Sequence, residues 1–354
     1  MCACVMQSIN YHPPLTGLRF FAALLVYLFH HTPFAAGTLL YDVVKEFHIG
    51  VSLFFTLSGF LICRQYHQSI VEGTIQLKHY FINRFVKIYP VFFILTTITA
   101  IVNFQGWKTY LMNITLLKGF SKTYWFTHIT QGWSLTTETT FYLLAPFIFL
   151  LLNKLKLLWQ AFILIATGIV LTFLFGFFNN EPKFFGSYHF TMVVTFFGRC
   201  VEFFAGVYLA LFLKKEKRLS SIGISFTYSG LVWFLASAFA LSSLKGDHIS
   251  GLATPIGVAI NNLVLPLFSF LIIYGLVVER TIVGKLFTSK FFKWAGNASY
   301  CFYLLHLGVY FSFIQQHTNS YILNFLIILT SSFVLYLFIE RPVVKYIRKR
   351  FETG

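Results

Sequence analysis

Ionisable side chains set in apolar runs are the residues of this sequence that could do chemistry. The stretch Leu15-Thr16-Gly17-Leu18-Arg19 leads through an apolar run to His30-His31. Arg19 and His30 are eleven residues apart, so on a helix both project from one face, about 16 Å apart along the axis. A second run opens with Trp133-Ser134-Leu135-Thr136-Thr137-Glu138, followed by Phe141-Tyr142 and Pro146. A carboxylate and an imidazole are a workable base-and-orienter pair, the carboxylate holding the imidazole tautomer. Each residue also has a structural reading. Arg19 can snorkel and His30 can sit at a headgroup boundary, while Glu138 can pair with some other cation.

Further pairs share helical faces. Arg199 and Glu202 are three apart and fit an intrahelical ion pair. Ser299 and His306 are seven apart, with Tyr300 and Tyr303 between them, and fit a buried histidine satisfied by a hydroxyl. Arg84 and Lys87, in Arg84-Phe85-Val86-Lys87-Ile88-Tyr89-Pro90, present two cations at the start of an apolar run. Gly50 to Phe60 is dense in small residues, which mark close helix contacts. There is no Gly-x-Ser-x-Gly elbow, so Ser58 is not a nucleophile candidate. Cys2, Cys4, Cys63, Cys200 and Cys301 have no metal-ligand spacing and read as small apolar side chains.

The elements that must position these groups are membrane spans. The 354 residues are 57% hydrophobic and 11% charged, with a mean hydropathy of +0.73. A soluble domain carries roughly a quarter charged residues, so lipid must be the solvent for most of this chain. Spans of about 20 apolar residues are expected near 15–34, 47–65, 80–103, 133–153, 157–179, 189–213, 222–243, 254–279, 296–315 and 321–340. Pro255 and Pro266 predict a bend in the eighth. The net charge of +16 reads as topology rather than nucleic-acid binding, because the cations fall in short runs between spans. With the N-terminus cytoplasmic, only Lys45, Lys108, Lys118, Lys122, Lys183 and Lys245 lie on the outer side. Arg19 and Arg199 fall inside spans, and every other Lys and Arg is cytoplasmic. The expected fold is therefore an all-α polytopic bundle of about ten transmembrane helices with both termini cytoplasmic and no cleaved signal peptide. Residues 1–345 form the membrane domain and 346–354 a short basic tail. Within that frame Arg84 and Lys87 lie at the cytoplasmic mouth, and His30 and Glu138 lie at matched depth near the outer face.

Taken in order, these segments resemble the acyltransferase-3 family of bacterial membrane acyltransferases. The series runs from Gly17-Leu18-Arg19 to His30, through Leu53-Phe54-Phe55 and Ser58-Gly59-Phe60, to Arg84 and Tyr89-Pro90. It continues through Trp133-Ser134-Leu135 to Glu138 and Phe141-Tyr142, then Ser299-Tyr300, Tyr303-Leu304 and His306, to Glu340 and Pro342. The resemblance implies transfer of an acyl group, commonly acetyl from acetyl-CoA, to hydroxyls of extracytoplasmic glycans. It makes His30 the catalytic histidine and Arg19 its partner. Arg84 matches the first arginine of a donor-binding Arg-x-x-Arg motif, whose second arginine is Lys87 here; lysine keeps the charge but loses the bidentate fork. Many members carry an extracytoplasmic esterase-like domain, and this chain is expected to lack one.

On that reading an acyl-CoA binds at Arg84 and Lys87 with help from Arg199, and His30 and Glu138 serve the acceptor hydroxyl. Ser299, His306, Glu202 and Trp133 are further candidates, and no metal is expected. Partners are acyl-CoA, membrane lipids and a glycan or lipid-linked polysaccharide, first among them lipopolysaccharide O-antigen; no nucleic acid is expected. Other envelope glycans, lipo-oligosaccharides and macrolides are alternative acceptors. The location implied is the bacterial inner membrane. The rival class is a secondary transporter or a glycan or lipid flippase, which would show interrupted spans in matching positions; the sequence displays none. Trp107, Tyr110, Tyr124 and Trp125 of the loop 104–132 suit either sugar stacking or an interfacial belt.

Overall fold

The computed structural model describes residues 12–177, 183–216, 219 and 223–352. Cys2 and Cys4, Lys217 and Arg218 of the expected cytoplasmic cluster, and the span ends at 178–179 and 222 lie outside them. The described residues form helices and connecting loops, with one isolated bridge between Ser121 and Phe184. Among them, nine helices are long and apolar enough to cross a bilayer. The main helices are α1 (Pro13–His30), α2 (Gly50–Val71), α3 (Leu77–Val102), α4 (Trp133–Leu151), α5 (Leu157–Phe177) and α6 (Phe196–Lys214). They continue as α7 (Phe226–Leu244), α8 (Leu265–Val278), α9 (Ser299–Leu305), α10 (Val309–His317), α11 (Tyr321–Leu335) and α12 (Arg341–Glu352). The chain is an all-α membrane bundle. The ninth expected span, 296–315, is not among these nine: α9 and α10 are short and break at His306–Gly308, where Gly308 takes φ +86°.

The chain divides into two compact units. One comprises Met1–Ser69 and Val201–Asn297, the other Ile70–Cys200 and Ala298–Gly354. In the first unit, α2 and α6 touch through backbone. A Cβ on Gly206 would overlap the Thr56 carbonyl oxygen, and one on Gly59 would overlap that of Phe203. The small-residue run read from the sequence thus serves close approach, the geometry that lipid-embedded helices use where hydrophobicity cannot drive association. The Glu279 carboxylate, just past α8, caps the start of α7. It accepts from the Phe226 and Thr227 N–H groups at 2.7 and 3.0 Å and from the Ser225 and Thr227 hydroxyls at 2.7 Å each. Before α8 the helix widens into a π-turn at Ile260–Val264. Pro266 lacks the N–H that would bond the carbonyl four residues back, and its ring crowds that carbonyl. Where the prolines predict a bend, the helix carries this π-turn.

In the second unit the sixth expected span is interrupted. The helix Tyr188–Val194 stops at Thr195, whose ψ of 159° is extended, and α6 begins at Phe196. Lipid offers no hydrogen bonds to freed carbonyls, so side chains must supply them. Thr137 donates its hydroxyl to the Val194 carbonyl at 2.7 Å, and Arg199 Nη1 donates to the Val193 carbonyl at 3.0 Å. The interruption at His306–Gly308 is served the same way. Gln131 Nε2 reaches the Tyr303 and Leu304 carbonyls at 2.8 Å each, and His306 Nδ1 lies 2.6 Å from the Tyr303 carbonyl. The sequence displays neither break. A second π-turn, Tyr336–Glu340, joins α11 to α12, which stays helical into the expected tail.

Candidate active site

Glu138 sits in the second turn of α4, and its nearest anchor is on its own helix. Tyr142, one turn on, donates its hydroxyl to Glu138 Oε1. Tyr142 is fixed from two further sides. Its carbonyl lies four residues before Pro146, which has no N–H to offer it, and the Tyr80 hydroxyl takes that place at 2.9 Å. The Arg84 guanidinium lies 6.0 Å from the centroid of the Tyr142 ring, within cation–π range. Arg84, Tyr142 and Glu138 therefore form a continuous series inside the second unit.

This corrects the expectation of Arg84 as a surface cation. It is 8% exposed, whereas Lys87, one turn on, is half-buried. The Tyr300 hydroxyl donates to the Ile88 carbonyl at 2.6 Å, so the stretch Arg84–Pro90 is held from α9 as well.

Below the start of α4, Tyr303 and Ser134 share a hydrogen bond of 2.7 Å, and both hydroxyls reach the Gln131 carbonyl, at 3.3 and 3.0 Å. His306 caps α9, and its Nδ1 lies against the Tyr303 carbonyl at 2.6 Å. Ser299 starts α9 and is buried. Arg199 is buried and commits one donor to the break before α6. Trp133 opens α4, its ring 6.5 Å from that of Trp125.

The first unit holds the other candidates. His30 is the last residue of α1, half-exposed, with its ring 4.5 Å from that of Phe29. Lys45 donates to the Phe29 carbonyl at 3.1 Å, a cation where the helix dipole favours one. Arg19 lies on the same helix, half-buried. Glu202 is fully buried in α6. Arg19, His30 and Glu202 thus belong to one unit, and Glu138, Arg84, Lys87, Arg199, Ser299, His306 and Trp133 to the other. Among the described residues no group of three His, Cys, Asp or Glu side chains could hold a metal ion.

Two residues of these hydrogen-bond networks escaped the sequence reading. Tyr142 was visible as one turn from Glu138 but was not read as its partner. Lys118, assigned to an outer loop, is fully buried. Its ammonium donates to Asn113 Oδ1 at 2.9 Å and to the Thr127 and Ile129 carbonyls at 2.5 and 2.7 Å. Burial pushes its pKa down to about 7. The loop 103–129 is built around that one nitrogen, and no spacing rule announces it.

Comparison with known proteins places these residues in a family. The model described as "Acyltransferase domain" (Acyl_transf_3) matches residues 14–341. Acyltransferase MdmB of Streptomyces mycarofaciens is 30% identical over 186 residues, 45% of each chain. The peptidoglycan O-acetyltransferase OatA of Listeria monocytogenes is 24% identical over 389 residues, covering 96% of this chain and 56% of its own. A putative acetyltransferase, ORF330, of Acidianus two-tailed virus is 24% identical, covering 84% of this chain and 83% of its own. The chain spans about half the length of the first two. No solved structure matches. The match from one end of the bundle to the other makes this chain a member of the acyltransferase-3 family.

Proposed function

We propose that the protein is a membrane O-acyltransferase that moves an acetyl group from cytoplasmic acetyl-CoA to a hydroxyl of an extracytoplasmic glycan. The observation that carries this is the Arg84–Tyr142–Glu138 series, which sets a buried cation and a half-buried carboxylate within an apolar bundle inside the matched stretch 14–341. Burying such groups is costly, and a reaction that needs a placed charge is a reason to retain them. Relatives named as acyltransferases and O-acetyltransferases support the reaction class. Lipopolysaccharide O-antigen is the first acceptor to test, and the bacterial inner membrane is the proposed location.

In this reading Lys87 and Arg84 attract the anionic donor from the cytoplasmic side. His30 takes the proton of the acceptor hydroxyl as its oxygen bonds to the thioester carbon. The carbon–sulfur bond breaks, and the imidazolium returns its proton to the departing thiolate, leaving an ester and free CoA. Passage through an acyl-His30 gives the same products in two steps. Glu138 is proposed as a second catalytic group on α4, and Arg19 to assist from the same helix as His30.

A carrier reading has an observation in its favour: the interruptions at Thr195 and His306–Gly308 are features that transporters also use. Labelled acetyl-CoA and glycan, incubated with purified protein, separate the two. The enzyme releases CoA and labels the glycan, and His30→Ala abolishes both while membrane expression persists. Wild-type turnover in His30→Ala would sink the assignment.

A further inference from the structure

A cavity of about 460 Å³ opens in the second unit between the end of α3, the loop 103–129 and α10. By the distribution of cations this is the extracytoplasmic end of those helices. Its volume lies in the range of small-ligand sites, about 300–1,000 Å³. The chemistry of its wall is specific: Asn103, Gln105, Ser312 and Gln316 bring amides and a hydroxyl, and no Lys, Arg, Asp or Glu lines it. Phe126 and Phe313, 50% and 59% exposed, stand on the same wall. Amides and hydroxyls that both donate and accept suit the hydroxyls of a sugar, and exposed aromatic rings suit its C–H faces. An anionic donor finds no countercharge here.

The second observation is His128, which also lines the cavity. It is 6% exposed, and among the described residues neither ring nitrogen has a hydrogen-bond partner. Leaving a buried polar group unmade is destabilising, and an imidazole has one nitrogen to donate and one to accept. Its φ of +46° is in the left-handed region, rarely adopted outside glycine. Strain and unmade hydrogen bonds at one residue are what a site retains for a ligand. Burial, with the Lys118 ammonium nearby, lowers the His128 pKa and favours the neutral ring. A neutral ring keeps both a donor and an acceptor.

We infer that this cavity binds a neutral sugar ring of the acceptor glycan, with His128 hydrogen-bonding its hydroxyls and Phe126 and Phe313 stacking on it. The inference rests on the proposed function for the identity of the ligand as acceptor, but its test reads binding first. The full chain in nanodiscs is titrated with neutral oligosaccharides of hexose and N-acetylhexosamine units, followed by saturation-transfer NMR. Binding to wild type is expected, weakened about tenfold by loss of a stacking ring or of the His128 hydrogen bonds in Phe126→Ala, Phe313→Ala and His128→Ala. Gln316→Ala, at the exposed rim, repeats the test where His128→Ala fails to fold. In the transfer assay the glycan KM rises in the same variants while the acetyl-CoA KM stays at its wild-type value. No oligosaccharide binding by wild type, or unchanged affinity in Phe126→Ala, Phe313→Ala and Gln316→Ala, overturns the inference. So does loss in these variants of bound lipid, seen by native mass spectrometry, with sugar affinity intact. A protein that binds sugar here yet never acetylates it keeps this site and loses the proposed function.

Discussion

Replacing Lys118 by Met removes one nitrogen and little else, and its consequences can be worked from the hydrogen bonds. Three acceptors lose a donor, but unequally. The Ile129 carbonyl keeps the Gly132 N–H at 2.8 Å, whereas Lys118 is the donor to Asn113 Oδ1 and to the Thr127 carbonyl. Asn113 is not free to turn its amide, since its Nδ2 already donates to the Thr109 carbonyl at 2.9 Å and to Thr127 Oγ1 at 2.8 Å. Two buried acceptors left unmade cost about 1–3 kcal/mol each.

The pH dependence has a definite sign. Burial lowers the folded pKa from 10.5 to about 7, so between those values the unfolded loop holds a proton that the folded loop has released. Stability then rises with pH across that window, by about 2 kcal/mol from pH 7 to pH 9. At pH 9 the neutral amine has two protons for three acceptors, and the Ile129 carbonyl can be left to Gly132. Lys118→Met therefore costs roughly 2–6 kcal/mol at pH 9 and about 2 kcal/mol less at pH 7. Hydrogen exchange of the amides from Gly119 to Gly132 in nanodiscs, corrected for intrinsic rates, reads both numbers. Identical protection in variant and wild type, or a gap that does not widen with pH, would refute the reasoning.

Gly206→Val should prevent α2 and α6 from meeting at Thr56, giving aggregated protein on size-exclusion chromatography, whereas Gly176→Ala, with nothing within 4 Å of the new Cβ, should run as wild type. Glu279→Gln weakens the cap of α7 by about 1–2 kcal/mol. Burial raises the Glu279 pKa, but its four hydrogen bonds outweigh that and hold it below 4.5. Its contribution is thus complete above the ordinary carboxylate pKa and lost as pH falls through the lower folded value; thermal melts from pH 7 to pH 3 should decline in wild type and stay flatter in the variant. Tyr142→Phe, which deletes the hydroxyl bonded to Glu138, should lower acetyl transfer about tenfold or more without loss of folded protein. Glu138→Gln should lower acetyl transfer about tenfold or more without loss of folded protein, and wild-type turnover in that variant would remove Glu138 from the reaction.

Legibility divides along physical lines. Hydropathy and cation placement are local properties, so the all-α bundle and the extents of α1, α3, α4, α5 and α7 could be read from the sequence. The backbone breaks at Thr195 and His306–Gly308 were illegible because what permits them is remote. Val194 can stop a helix in an apolar bundle because Thr137 reaches its carbonyl, and Leu304 can do so because Gln131 does. Nothing near residues 194 or 304 in the sequence reports a donor some 57 or 173 positions away.

The same distinction applies to the candidate site. Arg19, His30, Arg84, Lys87 and Glu138 stood out because a charge in an apolar run is a local anomaly. Lys118 and His128 did not, because a lysine and a histidine in a polar outer loop are ordinary until the fold buries them. Burial then makes them the more informative pair. Lys118 has three acceptors for three protons, so its task is to hold the loop. His128 has two nitrogens and no partner among the described residues, which leaves both open to the proposed sugar. A loop stapled by the first presents the second to the cavity. Lys118→Met should therefore lower oligosaccharide affinity more at pH 9 than at pH 7, in step with its cost to the loop.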